Sequence, residues 1–221
     1  IYKSYTTIPQ NTLFIPNLYN EESQMILDKL INKSGNKFNF QRNRGNINFK
    51  SEKDEIYKYK YYDFTNKGVK HYKYGNIKND DFDNSKILMS FKFSPKKLNA
   101  FYSEGNLGSY DINIYQNFNR DKEYLVKFLN SKLISYLICI TQYSQAGKEQ
   151  NEYNILNLIT YPDKPLNTDE EIYDYYGISV SERKLIEEIV ENSNKPKPKK
   201  VKTFDFDGFI NELKVKILSL N

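Results

Sequence analysis

The apolar positions change period along the chain, and the changes mark its elements. Asn20 precedes Glu21 and Glu22, and then Met25, Ile26, Leu27, Leu30 and Ile31 recur at helical spacing. A capping Asn, acids in the first turn and Gly35 beyond the run predict one amphipathic helix. From residue 37 to 78 the period falls toward two: Phe38 and Phe40, Ile47 and Phe49, Tyr57, Tyr59 and Tyr61, Tyr72 and Tyr74. With Gly45, Gly68 and Gly75 as punctuation, this predicts strands joined by turns. Residues 87–93 predict a strand and Phe101-Tyr102 a short one. A Gly-rich turn follows from Ser103 to Gly108, and Tyr110 to Asn117 alternates again around Ile112 and Ile114. The clearest helix runs from Lys122 to Ile140, carried by Tyr124, Leu125, Phe128, Leu129, Leu133, Ile134 and Leu137. Its second half is almost wholly apolar, which predicts a buried core helix.

After a loop at Gln145-Ala146-Gly147-Lys148, an apolar segment from Ile155 to Tyr161 ends at Pro162. Two short helices, 168–176 and 181–192, then flank Gly177, the second opening on a Ser181 cap. Lys195-Pro196-Lys197-Pro198-Lys199-Lys200 lies in a solvated linker. Phe209, Ile210, Leu213, Ile217 and Leu218 make the tail from Phe204 an amphipathic helix. The expected fold is α+β: a mixed, largely antiparallel curved sheet with a buried central helix, plus a C-terminal helical segment. The expected division is a main domain over 1–165, a helical extension over 166–192, a basic linker over 193–203 and a tail helix over 204–221.

Composition narrows the chemistry. The 221 residues include one cysteine, Cys139, and one histidine, His71, so no internal disulfide and no His or Cys cluster for a metal is available. No apolar run has membrane-spanning length and no signal-peptide pattern opens the chain, so no membrane partner and a cytoplasmic location are expected. Ile1 in place of a start methionine leads us to expect a piece of something longer. There are 29 Lys, 27 Asn and 20 Tyr but only 4 Arg. The codons of the first three are AT-rich, so abundance alone makes no Lys or Tyr functional.

Charge placement adds more. The chain carries a net +5, yet the stretch from Lys37 to Lys78 holds 11 basic residues against Glu52, Asp54, Glu55 and Asp63. Lysines interleaved with aromatics neutralise phosphates and stack on bases. The scarce Arg42 and Arg44 stand out there, because arginine pairs with guanine bidentately. Phosphate-binding glycine loops of the G-x-x-x-x-G-K or G-x-G-x-x-G type are absent. Two other readings stay open. Asp163, Glu182 and Lys184 fall in a PD…ExK pattern, the set a metal-dependent nuclease uses to hold a divalent cation beside a lysine. The 204–221 helix is the docking element of a protein-interaction module.

The segment from Lys86 to Asp163 resembles a known family. It reads Lys-Ile-Leu-Met-Ser-Phe from Lys86, Ala-Phe-Tyr-Ser-Glu-Gly-Asn-Leu-Gly-Ser-Tyr-Asp-Ile from Ala100, and Glu-Tyr-Leu-Val-Lys-Phe-Leu-Asn-Ser-Lys-Leu-Ile from Glu123, closing on Tyr161-Pro162-Asp163. This is similar to the target-recognition domain of Type II adenine-specific DNA methyltransferases and fused restriction-modification enzymes, the TaqI-like specificity domain. A Lys-Ile strand, a Gly-bearing turn, a helix with Leu129-Asn130-Ser131-Lys132-Leu133 and a short hydrophobic strand ending in proline recur in that order. The turn carries Ser103 where the family commonly has Asp. Type I specificity subunits resemble the same helix. Weaker likenesses over Lys58–Tyr74 and Asp169–Arg183 extend the match to roughly residues 1–190.

The resemblance implies sequence-specific recognition of double-stranded DNA beside an adenine methyltransferase domain or subunit. That domain would hold S-adenosylmethionine and the Asn-Pro-Pro-Tyr pocket. Neither motif occurs here, so no cofactor and no catalytic residue are expected in this chain. The residues expected to meet DNA are Arg42, Arg44, Lys58, Lys60, Lys70, His71 and Lys73, with Ser103, Gly105, Asn106 and Gly108 of the turn.

Overall fold

The computed structural model describes residues 21–41, 46–89, 97–109, 113–114, 122–141 and 156–194. Arg42, Arg44, the linker beyond residue 194 and the 204–221 tail lie outside the described residues. The elements run α1 (Glu21–Ile31), β1 (Phe40–Gln41), β2 (Phe49–Lys50), β3 (Tyr59–Asn66), β4 (Val69–Gly75), β5 (Lys86–Leu88), β6 (Phe101–Ser103), β7 (Gly108–Ser109), β8 (Asn113–Ile114), α2 (Lys122–Leu129), α3 (Lys132–Thr141), α4 (Asp169–Tyr176) and α5 (Val180–Asn194). The fold is α+β and largely antiparallel, as the residue pattern predicts. Its strands form two sheets, ordered β1-β8-β5-β6 and β2-β4-β3-β7, and the β3–β7 pair is parallel.

The first sheet and the helices share one core. Ile26, Leu27 and Leu30 of α1, Phe38, Ile87, Leu125, Phe128 and Leu129 of α2, and Leu133, Ile134 and Leu137 of α3 meet there. Ile172, Tyr173, Ile186 and Val190 of the two C-terminal helices join the same cluster. Met25, part of the apolar pattern of α1, is instead 55% exposed.

The helix expected over 122–140 is two helices, bent by 46° at Asn130 and Ser131. Asn130 turns its carboxamide outward to both backbone groups of Ala100, accepting from the amide at 2.8 Å and donating to the carbonyl at 2.9 Å. Ser131 restarts the next helix by accepting from the Ile134 amide at 3.3 Å. Side chains that bond nearby backbone compete with the helical ladder, so a Leu-Asn-Ser-Lys-Leu run with unbroken apolar spacing still breaks. Among the described residues no single helix is long and apolar enough to cross a membrane.

Other boundaries shift for similar reasons. The segment expected to end in a strand before Pro162 begins as a helical turn at 156–158 and, among the described residues, makes strand pairing only as a single bridge, Thr160 to Lys37. The 87–93 strand keeps the ladder only over Lys86–Leu88 within the described residues, and the 110–117 strand only over Asn113–Ile114. The last helix is capped by Ser179, not Ser181: Ser179 accepts from the Glu182 amide at 3.3 Å, and Glu182 accepts from the Ser179 amide at 2.6 Å. That reciprocal pair is a capping box. Thr168 and Glu171 form another at α4.

Candidate nucleic-acid interface

Five of the residues singled out for DNA stand on or beside one hairpin. β3 and β4 pair antiparallel from Tyr59↔Gly75 to Asn66↔Val69 and are joined by Lys67-Gly68. Both joining residues have positive φ, 48° and 80°, the geometry of the tight turn whose twist matches a hairpin. β2 flanks β4 only at Tyr74 and Gly75, and β7 flanks β3 only at Tyr61 and Tyr62. Beyond these positions the described strands leave a two-stranded ribbon, and Asn66 through His71 are all exposed.

Below the ribbon sits an aromatic cluster separate from the main core. The Tyr61 ring lies 5.0 Å from Phe49 and 5.5 Å from Phe82. Its hydroxyl donates to the Ile77 carbonyl and accepts from the Asn79 amide, both at 2.9 Å. Gly108 is required here, since a Cβ on it would stand 2.0 Å from the Tyr61 ring. Tyr62 joins this cluster to the first sheet, edge-on to Phe101 at 4.8 Å.

Cross-strand partners share a face of a sheet. The register therefore puts Lys60, Tyr62, Tyr72 and Lys70 on one face and Phe64, His71 and Lys73 on the other. An extra residue, Asp63, is accommodated by a register shift between Tyr62 and Phe64.

On the first face each ammonium lies over a ring: Lys60 3.8 Å from the Tyr72 centroid and Lys70 3.6 Å from that of Phe101. Partial burial lowers the pKa of Lys70. Lys58 is exposed, 5.4 Å from the Tyr59 ring. Among the described residues no carboxylate is within ion-pair distance of Lys58, Lys60, Lys67 or Lys70. On the second face His71 stacks on Phe64 at 4.4 Å, while Lys73 pairs with the buried Asp63 at 3.5 Å. Lys73, also expected at the DNA, is thus half-buried and paired beside the bulge.

No protein-family model, curated protein or solved structure matches this chain.

The 103–108 turn, expected to contact DNA, is tied into the fold at several positions. Gly108 is buried under Tyr61, and Gly105, at φ +136°, has the Asp83 carbonyl oxygen 2.5 Å from where a Cβ would stand. Ser103 is half-buried and donates to the Gly105 carbonyl at 3.4 Å. Asn106 remains exposed. Because β7 runs parallel to β3 with Gly108 opposite Tyr61, the turn lies at the Tyr59 end of the hairpin, away from its tip.

The alternative nuclease set is not assembled. Glu182 is 5% exposed and already holds the start of α5 and the Lys29 ammonium at 2.6 Å. Burial works to raise its pKa, but the bonds from Lys29 and Ser179 together outweigh that and hold it below the usual value. Asp163 and Lys184 are exposed on separate segments, and among the described residues no group of three His, Cys, Asp or Glu side chains converges for a metal.

The basic-residue reading counted Lys67 without placing it at the tip of a hairpin, between the exposed Asn66 and Val69. The signal was present as Asn66-Lys67-Gly68 within an alternating stretch, a hairpin turn whose flanks carry the exposed side chains.

Proposed function

We propose that this chain binds double-stranded DNA by laying the β3–β4 ribbon into the major groove. The observation that carries this is an exposed two-stranded ribbon bearing Lys67 and Lys70, with Lys58 and Lys60 at its base, all four without a carboxylate partner among the described residues. The major groove admits a two-stranded ribbon, and unneutralised lysines along it are what a phosphate backbone requires. A duplex suits the site better than a single strand. The rings that would stack on bases, Tyr72, Phe101 and Phe64, are already covered by Lys60, Lys70 and His71. The sequence resemblance extends the proposal: the chain serves as the specificity part of an adenine methylation or restriction-modification system, inside the cell, with catalysis supplied by an S-adenosylmethionine-dependent domain.

The test is a salt titration of binding to a random duplex library, with sequencing of the bound fraction. Neutralisation of four phosphates predicts a log–log slope of about −3.6, or roughly a hundredfold loss between 50 and 200 mM salt. An enriched short motif is expected in the bound pool. Absence of duplex binding at low salt, or equal affinity for single strands, would overturn the proposal.

A further inference from the structure

The two faces of the ribbon differ in chemistry as well as direction. The lysine face carries Thr65, Lys70, Tyr62, Tyr72 and Lys60, and the Tyr62 hydroxyl lies 2.7 Å from that of Thr65. The opposite face carries Asn66 beside Val69 and Phe64 beside His71. Its first lysine inward is Lys73, which is bound to Asp63. At the tip this face therefore presents a carboxamide, an isopropyl group and an imidazole. The Asn66 side-chain carboxamide is exposed and engages no other group among the described residues. Val69 is 60% exposed, so its side chain is available to a partner. The His71 ring is held nearly parallel to Phe64, at 11°.

Resting on the duplex-binding reading, we infer that the ribbon enters the major groove tip first, so that Asn66 and Val69 of this face read A·T pairs by their major-groove edges while the lysines of the other face reach the phosphates of the groove wall. A carboxamide is the group that pairs with adenine N6 and N7, and an aliphatic side chain is the group that meets the thymine 5-methyl. Guanine is matched by Arg or Lys, and none of the three outer positions of this face carries either. Asn66 and Val69 are direct cross-strand partners, so the two groups stand side by side at the leading end of the ribbon. The positive-φ turn brings them there with only two residues between them. Asn66 and Val69 are specificity-determining residues on this reading, and Lys60 and Lys70 set affinity.

The experiment uses the whole chain and the duplex enriched from the library. Three changes are compared: deoxyuridine for thymidine throughout the motif, which removes only the 5-methyl groups, and the exposed-site variants Asn66→Ala and Val69→Ala. The enriched motif is expected to contain A·T pairs. Deoxyuridine should weaken wild-type binding by about fourfold for each 5-methyl group that Val69 covers and leave Val69→Ala indifferent. Asn66→Ala should reduce discrimination of A·T over G·C by about tenfold or more with an unchanged salt slope. Duplex binding with no enriched motif, or variants that select the wild-type motif and respond to deoxyuridine as wild type does, would overturn this inference and leave duplex binding standing. No duplex binding at low salt would remove both.

Discussion

Lys86 begins β5 and is fully buried, yet among the described residues it has no carboxylate partner within ion-pair distance. Its ammonium donates to the carbonyls of Asp81, Phe82 and Asn84, at 3.2 Å to Phe82 and 2.8 Å to Asn84. One cation thereby closes the loop that also receives the Leu107 amide at the Phe82 carbonyl and abuts Gly105. Burial pushes the Lys86 pKa down to about 8, against the opposing pull of Asp81 and Asp83. Lys86→Met would strand three carbonyls, and a loss of about 1–3 kcal/mol is expected in urea unfolding. The pH dependence has a definite sign. Between pH about 8 and about 10.5 the unfolded chain binds more protons at this residue than the folded one, so its contribution to stability rises with pH. The stability difference between wild type and Lys86→Met should grow across that window. A flat difference would mean that Lys86 titrates normally in the fold.

At the scale of elements, the kink between α2 and α3 is set by two side chains. Asn130 fastens the end of α2 to the entry of β6 through both groups of Ala100, and Ser131 starts α3. The Lys132 amide is then taken by Asp169 at 2.9 Å, and its ammonium pairs with Glu187 at 2.9 Å. The Leu-Asn-Ser-Lys-Leu run is thus a joint where the first sheet, the central helices and the C-terminal helices meet. Asn130→Ala leaves the Ala100 amide and carbonyl without these partners. A loss of about 1–3 kcal/mol is expected from thermal or urea midpoints. An unchanged midpoint would show that the joint is held by Leu129 and Leu133 packing alone.

Across the whole molecule, charge is separated. Lysines 50, 53, 58, 60, 67, 70, 73 and 78 dominate the ribbon region, against carboxylates at 52, 54, 55 and 63. The segment from residue 163 to 194 carries nine carboxylates and three cations of its own, Lys164, Arg183 and Lys184. Arg183 is itself engaged by Glu170 at 2.6 Å and by Asp174. Such a distribution turns the ribbon toward a polyanion and the C-terminal helices away from it. Under the proposed duplex binding, Lys60→Ala and Lys70→Ala together should weaken binding to all duplexes alike and flatten the salt slope by about 2. An unchanged slope would place the phosphate grip elsewhere on the chain.

Features that depend on near neighbours are written in the chain itself. α1, the paired strands around Gly68 and the two C-terminal helices follow from local period, turns and caps, and so do the α+β class and the basic stretch. Other features depend on segments far apart in the chain, and those the tertiary structure decided. Whether Lys60 and Lys73 share a face depends on a register shift at Asp63 that periodicity does not reveal, since an alternating pattern survives a one-residue bulge only on one side of it. Gly108 looked like part of a contact loop because its partner, the Tyr61 ring, lies on another strand. Glu182 looked like a metal ligand because Lys29, which holds it, comes from the first helix. Period and capping are properties of a few consecutive residues. Burial, ion pairing and the face a side chain occupies are set by which distant backbone arrives beside it.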